Sequence, residues 1–534
     1  MKSRVKPIVH IMTGLLLCLP TAGCFHSAAD SERTGTSPPA AEGTDELSGG
    51  QRSAGANPAE TEAAAPAEPL SGGQPVTLKV DLWLFTPTTD AARTKTNPEK
   101  RVAGQVIADK FMKLYPNVTI EWVRGMNKKD QAELASYYTT HFSAGDAPDI
   151  GMSWNQFTEE NWYLPLDRYL DEPNPFVEGN RKWIEQFPAY LWENNLVNSA
   201  IDGTSTGIPI SLYSGPATAI FYNKAIFEKE GIPIPDSYLE FIETAEALNA
   251  KGYIGLHPWT AQNQIYNWAY IFNLGPYYFE KNVAGGLKQD ANGHIDNEEL
   301  MRAIKEGMLS PVRHAYAREL YANFKKLFEV SPPNWEYTDF SKPWAEGQVA
   351  MFEDGTWLLN TEEGNKERGF EFGMFPPVPL SVEESPYVSE PKYTEGGPYQ
   401  PEPSVTLNIL RSSVERHGTE EAAVRFLQFL TAPDNISLLI QEDGTSIGAV
   451  EGVPVPDLLQ DWISRPFPIT PKFTWPTGLD AESFDQWNQY TSAWVNGKLN
   501  DDTYFAAIDE IQSKAADRII QLNDIDTSGW RPLL

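Results

Sequence analysis

Cysteine is nearly absent: the 534 residues hold two, Cys18 and Cys24, both within the first 24 positions. Nothing beyond them supports a disulfide framework, a thiol nucleophile or a cysteine zinc site. Histidine is also scarce. Of seven, His10 and His26 sit near the amino terminus, and the other five are far apart with no H-E-x-x-H pair for a metalloprotease zinc. No G-x-x-x-x-G-K-[ST] string occurs, so a P-loop NTPase is excluded. Positive charge is in deficit, with 42 Lys and Arg against 73 Asp and Glu and a formal charge of −31. Such a surface repels phosphate backbones and anionic headgroups, which excludes nucleic acid as a partner and broad adhesion to membranes. After the amino-terminal leader, no apolar run approaches the roughly 18 residues of a spanning helix.

The leader has the three parts of an export signal: basic Lys2, Arg4 and Lys6, an apolar run from Ile8 to Leu19, then Thr21, Ala22 and Gly23 before Cys24. Small residues followed directly by cysteine resemble a bacterial lipobox, with Thr21 where leucine is usual. The resemblance implies removal of residues 1–23 and a diacylglyceryl anchor on Cys24, holding the chain outside the cytoplasm on the outer face of the cell membrane. A free signal peptide cut near Ala22 is the alternative. Residues 24–75 are Ala, Glu, Gly, Pro, Ser and Thr with almost no large apolar side chain, too little to offset ordering entropy, and read as a disordered tether. LSGGQ occurs twice there, at Leu47 to Gln51 and Leu70 to Gln74; without a P-loop it reads as low-complexity spacer.

The 41% apolar content of so long a chain is enough for two cores. A strand-like alternation from Val76 to Phe85 opens the body, followed by a helical pattern over Val102 to Leu114 and a strand over Val118 to Val123. The alternation continues through a helix at Lys129 to Phe142, a strand at Ile150 to Met152 and a helix at Leu239 to Leu248. Later helices are predicted over Ala315 to Leu327, Glu420 to Leu430 and Thr503 to Leu522. Strand and helix in alternation indicate open α/β sheets.

Four segments carry a family resemblance by their order and spacing. They are Phe142 to Ile150 (FSAGDAPDI), and Asp202-Gly203 through Gly207-Ile208-Pro209 to Tyr222-Asn223-Lys224, Phe227, Gly231 and Pro235. The others are Trp344 to Met351 with Gly355-Thr356-Trp357, and Ala422 to Thr431 with Pro433. Together they resemble family 1 extracellular solute-binding proteins, the maltose-binding-protein-like receptors of ATP-driven sugar importers. The resemblance implies a two-lobed periplasmic-binding-protein-like fold of type II, α/β in class, with a central sheet in each lobe and a three-crossover hinge. It places the N-terminal lobe at 76–213 and 404–450 and the C-terminal lobe at 214–403 and 451–534. It also implies a monomer with an ABC-importer permease as partner, a carbohydrate between the lobes, no catalysis and no required cofactor.

Sugars present apolar C–H faces and equatorial hydroxyls, so a receptor needs flat aromatic platforms and polar groups that satisfy buried hydroxyls. The resemblance points to Trp83, Trp154, Tyr213, Trp259 and Trp357 as platforms, with Trp357 in the family's G-x-W position. Asn155, Gln262, Gln264 and Glu353 stand near them as hydroxyl partners, and Tyr266 and Trp475 are placed by approximate position. Each of these aromatics has core packing as its competing role.

Asp290, Asn292, His294, Asp296 and Glu299, with Gly293 for the turn, reproduce most of a calcium loop, although Lys288 occupies the first ligand position. The same residues read as an Asn-Gly turn capping the next helix, so a structural calcium and a plain turn both stay open. Two other functions stay open as well: a secreted glycoside hydrolase using paired carboxylates, and a receptor that presents its ligand to a sensor kinase.

Overall fold

A computed structural model describes residues 67–530, apart from segments 89–99, 124–136, 153–161, 198–203, 259–273, 288–294, 395–400 and 470–478 and positions 138, 139, 143, 145, 194, 195, 217, 296, 334 and 338. The body is α/β, with a six-stranded and a three-stranded sheet among the described residues, plus a two-residue ribbon of β8 (Lys392–Tyr393) with β11 (Pro468–Ile469).

The first sheet is built on β1 (Val76–Val80), where Val76, Leu78 and Val80 are buried while Thr77 is exposed and Lys79 half-buried. That period-two burial is what the alternating sequence predicts. β1 runs parallel to the edge strand β2 (Val118–Trp122) and to β3 (Ile150–Met152). Beyond β3 come β9 (Pro403–Ile409), β4 (Gly207–Tyr213) and β10 (Ser446–Gly448), all antiparallel pairings, giving the order β10-β4-β9-β3-β1-β2. Helices Ala103–Leu114 and Glu420–Leu430 meet through the Phe111 and Phe426 rings, 5.2 Å apart between centroids.

In the second sheet, β5 (Thr218–Asn223) is central between β6 (Met351–Gly355) and β7 (Phe372–Phe375). Ile220, Met351 and Phe375 enter one apolar cluster, and Ala219, Phe221 and Phe352 another, so both faces are covered. A near-continuous apolar strand fits that double burial. A separate cluster draws on Leu70 to Leu212 and on Val405 to Val450. The chain thus passes from the first sheet to the second between β4 and β5, returns before β9, and leaves again after β10. This is the three-crossover, two-lobed type II arrangement expected from the resemblance.

The motif residues have local physical work. Asp149, fully buried, accepts from Lys79 N at 2.8 Å and Thr419 Oγ1 at 2.9 Å and lies 2.7 Å from His417 Nδ1. It ties β1 to the segment joining helices Arg411–His417 and Glu420–Leu430. Asn223 caps helix Lys224–Glu230 by accepting from Ile226 N, and Gly231 ends it at φ +66°. The Y-N-K and glycine positions are therefore fold signatures.

Two expectations need correction. The opening strand ends at Val80 rather than Phe85, because the Asp81 carboxylate accepts from Trp83 N at 2.9 Å and from Thr86 Oγ1 at 3.2 Å, closing a 3-10 turn over Trp83–Phe85. The second LSGGQ string is docked, not spacer. Leu70 is buried, Ser71 N donates to Glu421 Oε2 at 2.7 Å, and Asn117 Nδ2 donates to the carbonyls of Leu70 and Gln74. Gly72 and Gly73 at φ +63° and +80° make the turn that inserts Leu70. The predicted helix 129–142 lies largely outside the described residues, and the other predicted helices fall within two residues of the observed ends.

Candidate functional site

The first crossing leaves β4 at Tyr213 and enters β5 at Thr218. A β-carbon on Gly215 would lie 2.7 Å from Trp462 Nε1 and 3.0 Å from Phe467 Cζ, so only glycine lets the chain pass beneath those rings. Tyr213 N donates to Glu402 O at 3.0 Å, which ties this crossing to the strand that returns. Burial, with the Glu402 charge added, raises the Tyr213 phenol above its ordinary range and keeps it a neutral hydroxyl.

Beside this crossing lies the end of β6. Its register pairs Thr218 with Gly355 and Ile220 with Glu353, so Thr218, Glu353 and Gly355 share one face of the sheet. A β-carbon on Gly355 would fall 2.1 Å from the Trp357 ring. The indole therefore lies directly over Gly355 on that face, carried by the 3-10 turn Thr356–Leu358. This explains the glycine of the G-T-W motif: any side chain there would displace the ring. Trp357 is 38% exposed, against 2% for Glu353 and none for Thr218, so the indole is the solvent-facing group on a sheet face that also carries a buried carboxylate and a buried hydroxyl.

Asp354, opposite Ala219 in the register, points to the other face, the one that carries Phe221 and Phe352, and is buried there. Desolvation pushes its carboxyl up to about 8; the Gly355 N–H, 2.6 Å away, opposes that, and the charges of Glu353 and Glu362 add to it. Asp354 is thus a neutral acid near pH 7. Because its folded value lies above the unfolded value of 3.8, its stabilising contribution is complete below about pH 4 and is lost as pH rises through 8. Thermal unfolding of wild type and Asp354→Asn across that window is expected to show the asparagine variant gaining on wild type as pH rises. A constant gap in melting temperature would contradict it.

Of the predicted site residues, the structure brings Glu353 and Trp357 together and sets Tyr213 at the adjoining crossing. Trp83 stands elsewhere, half-buried at φ +55° above the end of β1 and packed against a small cluster with Ala147, Tyr163 and Leu410. Trp154, Asn155, Trp259, Gln262, Gln264, Tyr266, Trp475 and Cys24, the residue expected to carry a lipid, lie outside the described residues. So do Asp290, Asn292, His294 and Asp296 of the calcium-like loop, whereas Glu299 is buried in helix Asn297–Lys305 with its carboxylate 3.4 Å from Arg302 Nη1. Sequence reasoning did not single out Ser214, Thr218 or Asp354; Thr218 is brought beside Gly355 only by the register of β5 with β6, which no local pattern announces.

The G-x-S-x-G pattern of serine hydrolases occurs at 203–207 and 444–448, but neither serine stands on a strand-to-helix elbow. Ser446 opens β10 with its hydroxyl donated to the Asp443 carboxylate, and Ser205 is buried before β4. A depression of about 360 Å³ lined by Leu164, Pro165, Asp167, Arg168, Arg411 and Glu415 contains none of the candidate residues. Among the described residues no helix is long and apolar enough to cross a membrane, and no cluster of three or more His, Cys, Asp or Glu could hold a metal ion.

Residues 97–436 match the family model described as bacterial extracellular solute-binding protein. A binding protein of Brucella abortus (strain 2308) is 29% identical over 207 residues, covering 37% of this chain and 46% of the relative. The chain thus spans about half the length of the curated relatives it matches. Among solved structures, apo RafE from Streptococcus pneumoniae superposes with a TM-score of 0.53 at 16% identity, covering 83% of this chain and 97% of that one. A chitin oligosaccharide binding protein gives 0.52 at 15%, covering 83% and 100%. A protein described with xylan utilization by Caldanaerobius polysaccharolyticus gives 0.52 at 15%, covering 82% and 99%. At these identities the structural likeness establishes the fold.

Proposed function

The chain belongs to the bacterial extracellular solute-binding proteins, and on that premise we propose that it captures a carbohydrate of oligosaccharide size and hands it unaltered to an ABC-type importer. The observation that carries this reading is the exposed Trp357 indole fixed over Gly355, with Glu353 and Thr218 on the same sheet face. A flat ring beside buried oxygen atoms matches the two surfaces of a sugar, one apolar and one hydroxylated. The printed descriptions of similarly folded proteins, a chitin oligosaccharide binding protein and RafE in complex with raffinose, support the same substrate class.

The lobes are taken as 76–213 with 404–450 and 214–403 with 451–534, a division supported by apolar clusters that separate along the same lines. An open form exposes both lobes, and closure follows because only the closed form lets one guest touch both. The Cys24 lipid and the segment after it hold the body near its permease outside the cell, raising effective concentration. Leader and lipobox support that placement.

Isothermal calorimetry with raffinose, maltotetraose, xylotetraose and chitotriose, followed by chromatography of the recovered sugar, tests the proposal. Saturable binding of at least one, recovered intact after prolonged incubation, is expected. Products of cleavage would replace the receptor with a hydrolase.

A further inference from the structure

Thr218 poses a question that the fold does not answer. It is fully buried at the first position of a central strand, and its Oγ1 has no hydrogen-bond partner. Ser214, at the other end of the same crossing, is equally buried and its hydroxyl is likewise without a partner. A buried hydroxyl left unpaired is destabilising, and valine would supply the same shape and strand preference without that penalty.

The surroundings of Thr218 point to a use. Its cross-strand partner is Gly355, the residue covered by the Trp357 ring. Cβ positions opposite each other in an antiparallel pair stand about 5 Å apart, which sets Thr218 next to the place where the indole crosses Gly355. Glu353, two residues before Gly355, is on the same face.

We infer that Thr218 is a further binding residue, whose hydroxyl pairs with a hydroxyl of the sugar ring stacked on Trp357. The inference rests on the carbohydrate reading of this site. The indole beside it rides on a three-residue 3-10 turn rather than on a strand. The penalty of the unpaired hydroxyl in the empty protein is removed when the guest is bound, so the same atom that weakens the free state favours the complex.

Thr218→Val and Thr218→Ser, each titrated calorimetrically with raffinose, maltotetraose, xylotetraose and chitotriose, test this. Val removes only the hydroxyl and is expected to weaken the best-bound sugar about five- to tenfold, the worth of one neutral hydrogen bond, with a melting temperature no lower than wild type. Ser keeps the hydroxyl and is expected to stay within about twofold of wild type. Wild-type affinity in the valine variant, a serine variant as weak as valine, or a lowered melting temperature for valine would each overturn the role. Those outcomes leave carbohydrate binding by the wild type intact. A wild type that binds none of the four sugars rejects the carbohydrate reading and the role of Thr218 with it.

Discussion

Trp357→Ala is expected to weaken binding of the best sugar in the panel by roughly 30- to 150-fold, the equivalent of about 2–3 kcal/mol for an aromatic face withdrawn from water. The ring is the exposed member of its group, and Gly355 beneath it exists to let it lie flat against the sheet. Removing the indole removes the platform while leaving the buried strands β5 and β6 in place, so the unfolding midpoint is expected to move little. Trp357→Phe, which keeps a smaller flat face, should fall between wild type and alanine. Calorimetry on the three proteins decides it: an alanine variant with wild-type affinity removes Trp357 from the site.

Asp149→Ala is expected to cost about 3–5 kcal/mol of stability, the largest effect of any single side chain considered. The carboxylate is fully buried and serves three groups at once, Lys79 N, Thr419 Oγ1 and His417 Nδ1. Alanine leaves the two hydrogen-bond donors and the imidazole without it in the space between β1 and the helices that follow β9. Asp149→Asn keeps the shape and part of the pairing and should lose less. Urea denaturation read by circular dichroism measures both; a loss below about 1 kcal/mol for alanine would show that the network is not what holds these elements together.

The degree to which the sequence foretold all this differs between elements, for physical reasons. Helix Glu420–Leu430 was legible to the residue because an acidic first turn, an apolar stripe and Pro433 mark both ends. The pattern predicts β1 running on to Phe85 because Leu82, Leu84 and Phe85 continue it, while the break depends on Asp81 turning back onto Trp83 N, a bond without any periodic signature. The docking of Leu70 was hidden by its low-complexity neighbourhood: one leucine decides burial there, and composition averages it away.

The site was legible in its platform and not in its floor. Gly355-Thr356-Trp357 can be read as a motif, and Glu353 follows as a neighbouring carboxylate. Thr218 enters only through register, since it is far from Gly355 in sequence and opposite it in the sheet. Asp354 and Glu353 are adjacent and chemically alike, yet the strand's alternation sends them to opposite faces and only one of them shares the face of Trp357.

Closure of two lobes upon an intact sugar is the claim on which the rest depends, and small-angle scattering of the wild-type protein reads it most directly. With the best-bound oligosaccharide at saturation by calorimetry, the radius of gyration should fall and the scattering profile should change with the same midpoint as the binding isotherm. A profile unchanged at full occupancy would contradict the account.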